Sequence, residues 1–127
     1  MMGAKRVLAI GLDPVYADFT ELPGLTPEVV RAYIDAQIEG MRALGYDVES
    51  CLVDTGDQAH QAVEAVLRAR AFDCVVIGNG LRTPPAQFLL FERILNAVHA
   101  LAPGARIAFN TNPADTAEAA RRWIGSP

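Results

Sequence analysis

Three short runs, RVLAIGL (6–12), DCVVIG (73–78) and RIAFNT (106–111), limit what this chain can fold into more than any other feature. Each is almost unbroken in apolar side chains. A strand with one wet face alternates apolar and polar residues. A strand covered on both faces does not, and such strands belong to parallel sheets sandwiched between helices. A fourth run, DVESCLVD (47–54), alternates more clearly, as an edge strand does. Segments long enough for a helix separate consecutive runs, and parallel neighbours need such crossovers. The expected fold is therefore a single three-layer α/β domain over residues 1–127. Its four-stranded parallel sheet has the order 2-1-3-4, with right-handed crossovers and helices on both faces. With 127 residues, 51% of them hydrophobic, the chain can bury a core without disulfide or metal staples.

The helices mark their own ends. Thr26 is a good N-cap, Pro27 suits the first helical position and Glu28 complements the helix dipole. Val30, Ile34, Ile38 and Met41 then recur at three- and four-residue spacing and make one buried stripe. Gly45 suits a left-handed helix end. A second helix is expected over 57–70 with Ala62, Val63, Val66 and Leu67 inward. A third starts near Pro85 and runs to about Ala102, where Pro103-Gly104 stops it. A fourth opens at Asn112-Pro113 or at the capping-box pattern from Asp115 to Glu118, with Ala120, Trp123 and Ile124 on its apolar side.

In a 2-1-3-4 sheet the first and third strands are central. Ligands of open α/β sheets bind beyond the carboxyl ends of the strands, where the strand order reverses. The loops leaving that edge carry the expected ligand-binding set: Gly11, Asp13, Gly78, Asn79, Gly80, Arg82, Asn110 and Thr111. Gly78 and Gly80 permit close backbone approach, and their N–H groups can form an anion nest. Arg82 offers a planar fork for phosphate or carboxylate. Asp13 is the carboxylate directly at the end of the first strand. It reads as the best acid/base or metal ligand, or equally as a turn residue before Pro14. Thirteen residues from Asp13 to Leu25 have no periodicity. Loops of that length in compact domains are often lids. Tyr16, Phe19 and Leu22 either cover the sheet edge or cap the core.

Other chemistries are disfavoured. Lys5 is the only lysine, against ten arginines. The phosphate-loop pattern G-x-x-x-x-G-K-[ST] is absent. Schiff-base catalysis needs a lysine, and Lys5 is expected at the opposite edge of the sheet. Gly78 and Gly80 supply two glycines of the dinucleotide fingerprint, but Thr83 stands in the third place and the loop follows the third strand. Ser50 and Ser126 are the only serines, and no G-x-S-x-G occurs. Cys51 and Cys74 fall inside strands without metal-type spacing, so they read as buried reduced thiols. No metal site is expected. His60 and His99 stand apart, and Glu92, Asn96 and His99 share a helix face that reads as solvated. A net charge of −4 without a basic stripe argues against nucleic acid. No apolar run approaches the roughly 20 residues that cross a bilayer. MMGAKR leads straight into the first strand without a signal peptide, so the expected location is cytoplasmic.

The layout resembles the flavodoxin-like group, and within it the receiver domains of bacterial signalling. That resemblance implies acidic residues after strand one, a phosphoacceptor aspartate at the end of strand three, a hydroxyl after strand four and a lysine after strand five. Asp13 matches the acidic position and Thr111 the hydroxyl. Asn79 stands near the phosphoacceptor place, where an amide cannot accept a phosphoryl group, and the lysine and fifth strand are missing. The resemblance thus implies a shortened fold without phosphotransfer. Flavodoxins that hold FMN bring a hydroxyl- and glycine-rich loop after strand one, and GLDPVYADF is unlike it. The segments GNGLRTPP, FERILNAVHALAPGARIAFNT and NPADTAEAARRW are similar to small bacterial proteins, a likeness that brings no activity with it.

Two functions from different classes fit these residues. One is binding of a small polar or anionic ligand at the carboxyl edge between strands one and three. That reading names no cofactor and leaves turnover open. The other is a non-catalytic interaction module. AQFLLFERILNAVHAL is apolar over more than one stripe, which marks a partner surface unless neighbouring loops cover it. A homodimer through this helix, or through the edge of strand four, would satisfy it.

Overall fold

The computed structural model describes residues 3–127. Strands β1 (Arg6–Leu12), β2 (Asp47–Val53), β3 (Cys74–Ile77) and β4 (Arg106–Phe109) form one parallel sheet of order β2-β1-β3-β4. In register, Val7 stands beside Val48 on one side and Cys74 on the other, and Cys74 stands beside Arg106. The helices are α1 (Pro27–Leu44), α2 (His60–Ala69), the single turn α3 (Asn79–Arg82), α4 (Phe88–Leu101) and α5 (Thr116–Ile124).

The apolar runs work as their patterns require. On one face of the sheet Leu8, Ile10, Val75 and Ile77 pack with Val63 and Leu67 of α2 and Ile94 and Val98 of α4. On the other face Val7, Val48, Val76 and Ala108 pack with Ile38 and Met41 of α1 and Ala119 and Ala120 of α5. The three-layer α/β architecture and the 2-1-3-4 order are those expected.

Local chemistry explains the boundaries of α1. The Thr26 side chain accepts from the Val29 amide at 3.2 Å, and Gly45 closes the helix at φ 109. Elsewhere the ends differ from expectation. Residues 57–59 form a turn before α2, and Ala62 is exposed. Pro85–Gln87 makes a 3-10 turn before α4 proper. Asp115 precedes α5 but does not cap it: its carboxylate turns back to accept from the amides of Thr111 and Asn112 at 2.9 and 3.2 Å. Trp123, expected on the apolar side, is 53% exposed, because Ala119 and Ala120 already fill the contact with the sheet.

The stretch Gly78-Asn79-Gly80 differs most. It is not an open glycine loop, since Asn79–Arg82 winds into α3. Positive φ values occur at Gly24, Gly45 and Gly125, whereas Gly78 is extended at φ −70. The expected anion nest therefore does not form. Gly78 serves another close approach. A Cβ there would lie 3.2 Å from the Ile10 carbonyl oxygen and 3.5 Å from Gly11 Cα, so a larger residue would push the end of β3 a few tenths of an ångström away from β1.

At the amino edge, far from these loops, Lys5 Nζ donates to the carbonyls of Ile124 and Ser126 at 2.6 and 2.8 Å. The Tyr46 hydroxyl donates to the Gly125 carbonyl beside them. No helix among the described residues is long and apolar enough to cross a membrane.

Candidate functional site

A cavity of about 570 Å³ opens between the sheet and α1, at the carboxyl ends of β1 and β3. Side-chain size along the strands creates it. Facing α1, β1 presents Val7, then Ala9, then Gly11, and β3 presents Cys74, Val76 and then Gly78. Bulk falls away towards the carboxyl edge. The helix opposite does not compensate, since Val30, Ile34 and Ile38 are ordinary aliphatic side chains. Ala9, Gly11 and Gly78 are consequently half-buried although they sit on the two central strands. Ser50 and Leu52 of β2 border one end, and Asn110, Pro113 and Thr116 the other.

The loop after β1 closes the top. Tyr16, Phe19, Leu22 and Leu25 all line the cavity, opposite Pro84 and Pro85 before α4. Asp13 anchors the start of this loop. Its amide donates to the Val53 carbonyl at 2.9 Å, and its carboxylate accepts from the Val15 amide at 3.1 Å. The same carboxylate pairs with Arg31 on α1. Beyond that anchor, among the described residues, the hydrogen bonds of 18–25 stay inside the loop, such as Leu22 to Phe19 at 3.0 Å and Leu25 to Leu22 at 3.1 Å. The loop is thus anchored at Asp13, and the hydrogen bonds of its residues 18–25 stay within it.

The eight residues expected from sequence divide into two groups. Gly11, Gly78, Asn79, Gly80 and Asn110 border the cavity. Asp13, Arg82 and Thr111 do not. Arg82 was the expected anion fork, and the fold uses it internally. Its Nη2 donates to the Asn110 carbonyl at 2.6 Å, and its guanidinium carbon lies 5.6 Å from the Phe109 ring centroid. Asp13 is committed to Arg31, and the exposed Thr111 bonds to Asp115.

Asn110 is the central tie of the site. It is 7% exposed. Its Oδ1 accepts from the Asn79 amide at 2.7 Å, and its Nδ2 donates to Thr116 Oγ1 at 3.0 Å. One side chain so fixes the starts of α3 and α5 at the cavity wall. The Asn79 side-chain amide makes no hydrogen bond to any described residue.

The lining is therefore apolar over most of its area, with neutral hydrogen-bonding groups at the β4 end. Its ionisable side chains are Tyr16 and Asp18, both on the lid. Hydrogen bonds from the Thr20 hydroxyl and amide hold the Asp18 carboxyl below its ordinary value, so it is ionised near neutrality. The two thiols lie outside this chemistry. Cys51 and Cys74 are buried and unpaired. Burial, with Asp73 nearby, pushes the Cys74 thiol up to about 11, far from a reactive thiolate at neutral pH. Among the described residues no group of three or more His, Cys, Asp or Glu is placed to hold a metal ion. Glu92, Asn96 and His99 form an exposed face on which Asn96 bonds to the Glu92 carbonyl.

Sequence reasoning missed Ala9, Ser50, Ile34, Pro84 and Thr116 as cavity residues. The signal was present in the size taper at alternate positions of β1 and β3, which marks where a sheet leaves room beneath a helix. The chain matches no protein-family model and no curated protein sequence.

Proposed function

We propose that this protein binds a small organic molecule in the cavity at the carboxyl edge between β1 and β3, beneath the lid of residues 13–25. The carrying observation is the cavity itself, about 570 Å³ and lined mainly by apolar side chains where the strand order reverses. Binding is better supported than turnover. The lining contains no nucleophile paired with a base, and Asp13, the best acid/base candidate from sequence, is held by Arg31 outside the cavity. Arg82 stands outside the cavity lining, with Nη2 on the Asn110 carbonyl and its buried Nε without a partner, so an anion inside the cavity has no direct cationic contact. We read the layout as a flavodoxin-like sheet without a fifth strand, in a cytoplasmic protein whose two thiols stay reduced.

A thermal-shift screen tests the reading with neutral aromatics, carboxylates, phosphates and nucleotides. A ligand at a hundred times its Kd adds about 2.7 kcal/mol, which moves the midpoint by roughly 8 °C in a domain of this size. The expected outcome is such a rise with at least one class. No rise with any class overturns the reading.

A second reading, self-association through α4 and the β4 edge, has its own observation. Phe88 and Leu89 are 63% and 53% exposed, and Phe109 stands on the unpaired edge strand. Adjacent aromatic and aliphatic exposure of this kind marks partner surfaces.

A further inference from the structure

We infer that the cavity takes an uncharged, flat ring system carrying one hydrogen-bond acceptor, with that acceptor directed at Thr116. This rests on the ligand-binding reading above and adds the ligand's chemical class.

Charge gives the first argument. A charged group that leaves water needs a partner, and an unpaired one costs several kcal/mol. The cavity offers none in its interior. Asp13 and Arg31 neutralise each other outside it, and Arg82, unpaired in charge with its Nε buried and unpartnered, lies outside the lining with Nη2 on the Asn110 carbonyl. The Asp18 carboxylate is fully exposed on the lid, where it repels anions and screens poorly for a buried cation. A neutral molecule loses least on entering.

Shape gives the second. The floor across β1 and β3 is Ala9, Gly11, Val76 and Gly78, with bare peptide backbone at its carboxyl end. The opposite wall is Ile34 and Ile38 of α1. A planar ring laid between exposed peptide backbone on one side and aliphatic branches on the other makes contact on both its faces, which a branched chain of equal area does less fully.

Thr116 gives the third. It is 7% exposed and borders the cavity. Its Oγ1 accepts from Asn110 Nδ2 at 3.0 Å, and its own O–H finds no acceptor among the described residues. A buried hydroxyl normally donates as well as accepts. A ketone, amide carbonyl or ring nitrogen on the ligand would take that proton.

Fluorescence titration of the whole protein tests this with two naphthalene dyes. Prodan is neutral and carries a ketone; anilinonaphthalene sulfonate is an anion. The expected result is that prodan binds at least tenfold more tightly than the sulfonate. Thr116→Val should weaken prodan at least fivefold and shift its bound emission to the blue, as the ketone loses its hydrogen bond. Thr116→Ser should restore both. Acetylnaphthalene should displace prodan at a concentration at least tenfold below that needed for its fully saturated analogue. Tighter binding of the sulfonate, or equal displacement by the saturated compound, overturns the class inference while leaving a binding cavity. Unchanged prodan affinity and emission in Thr116→Val overturns the placing of the acceptor. Because the dye comparison is made on the unsubstituted chain, it stands even if Thr116→Val fails to fold. Failure of both dyes to bind overturns this inference and counts against the cavity as a binding site.

Discussion

Asn110 joins more of the structure than its size implies. Its side chain accepts from the first amide of α3 and donates to the Thr116 hydroxyl oxygen, and its carbonyl receives Arg82. Removing the amide strands two polar groups in a place that water reaches poorly. Asn110→Ala should therefore cost roughly 2 kcal/mol in denaturant unfolding, the usual penalty for orphaning buried partners. A loss below about 0.5 kcal/mol would show that water replaces the amide. Asp115 governs the adjacent loop through its charge. Burial raises its pKa, but hydrogen bonds from Thr111 and Asn112 and the nearby Arg122 outweigh that, and the net shift is downward from 3.8. The unfolded chain then binds more protons in the interval between the two values, so stability rises with pH across it. The contribution is whole above the unfolded value and is lost as pH falls through the folded one. Asp115→Asn should flatten the stability curve below about pH 4 while leaving its shape near neutrality. An unaltered acid limb would remove Asp115 from the account.

Among the elements, the loop of residues 13–25 is the one least tied to the rest of the structure by hydrogen bonds. Its interior hydrogen bonds are its own, so opening breaks little beyond side-chain contacts over the cavity. The Asp13–Arg31 pair is partly exposed and contributes modestly. Arg31→Ala should leave the unfolding midpoint almost unchanged yet raise dye association and dissociation rates roughly two- to fivefold. Stopped-flow fluorescence reads both rates, and unchanged rates would mean that the pair does not hold the lid. The helices show what sequence could and could not convey. Thr26, Pro27 and Gly45 bound α1 by local chemistry, and local chemistry is visible in a sequence. The turn α3 depends on an amide thirty-one positions away, because Asn110 receives the Asn79 N–H. Gly-Asn-Gly alone reads as a loop, and nothing nearby corrects it. The cavity was hidden for a related reason. Ala9, Gly11 and Gly78 each fit a strand, and their joint meaning appears only when β1 and β3 lie side by side under α1. Five of the eight residues named from sequence border that cavity, whereas the contacts of Arg82 with Asn110 and Phe109 join residues more than twenty-five positions apart and are legible only in the fold.

At the scale of the whole molecule, the unpaired β4 edge and the exposed end of α4 remain to be satisfied. Phe91 and Phe109 already touch, with ring centroids 6.0 Å apart, so this corner of the sheet is partly sealed. Phe88 and Leu89 lie beyond that seal. If copies of the chain meet there, light scattering should give twice the monomer mass of 13.6 kDa at high concentration. Phe88→Glu with Leu89→Lys should return it to monomer without loss of helicity. A monomer at every concentration excludes that interface and leaves the cavity reading untouched.

Lys5 holds the last turn of the chain against the start of β1. Lys5, Ile124 and Ser126 therefore meet at the amino edge, roughly 20 Å of strand from the cavity mouth. A load carried through this amino-edge tie therefore runs along the sheet and leaves the loop of residues 13–25, at the opposite edge, facing the solution. Lys5 is also the one side-chain amine in the sequence, so acylation with an amine-reactive reagent would act on this tie and release the last turn from β1.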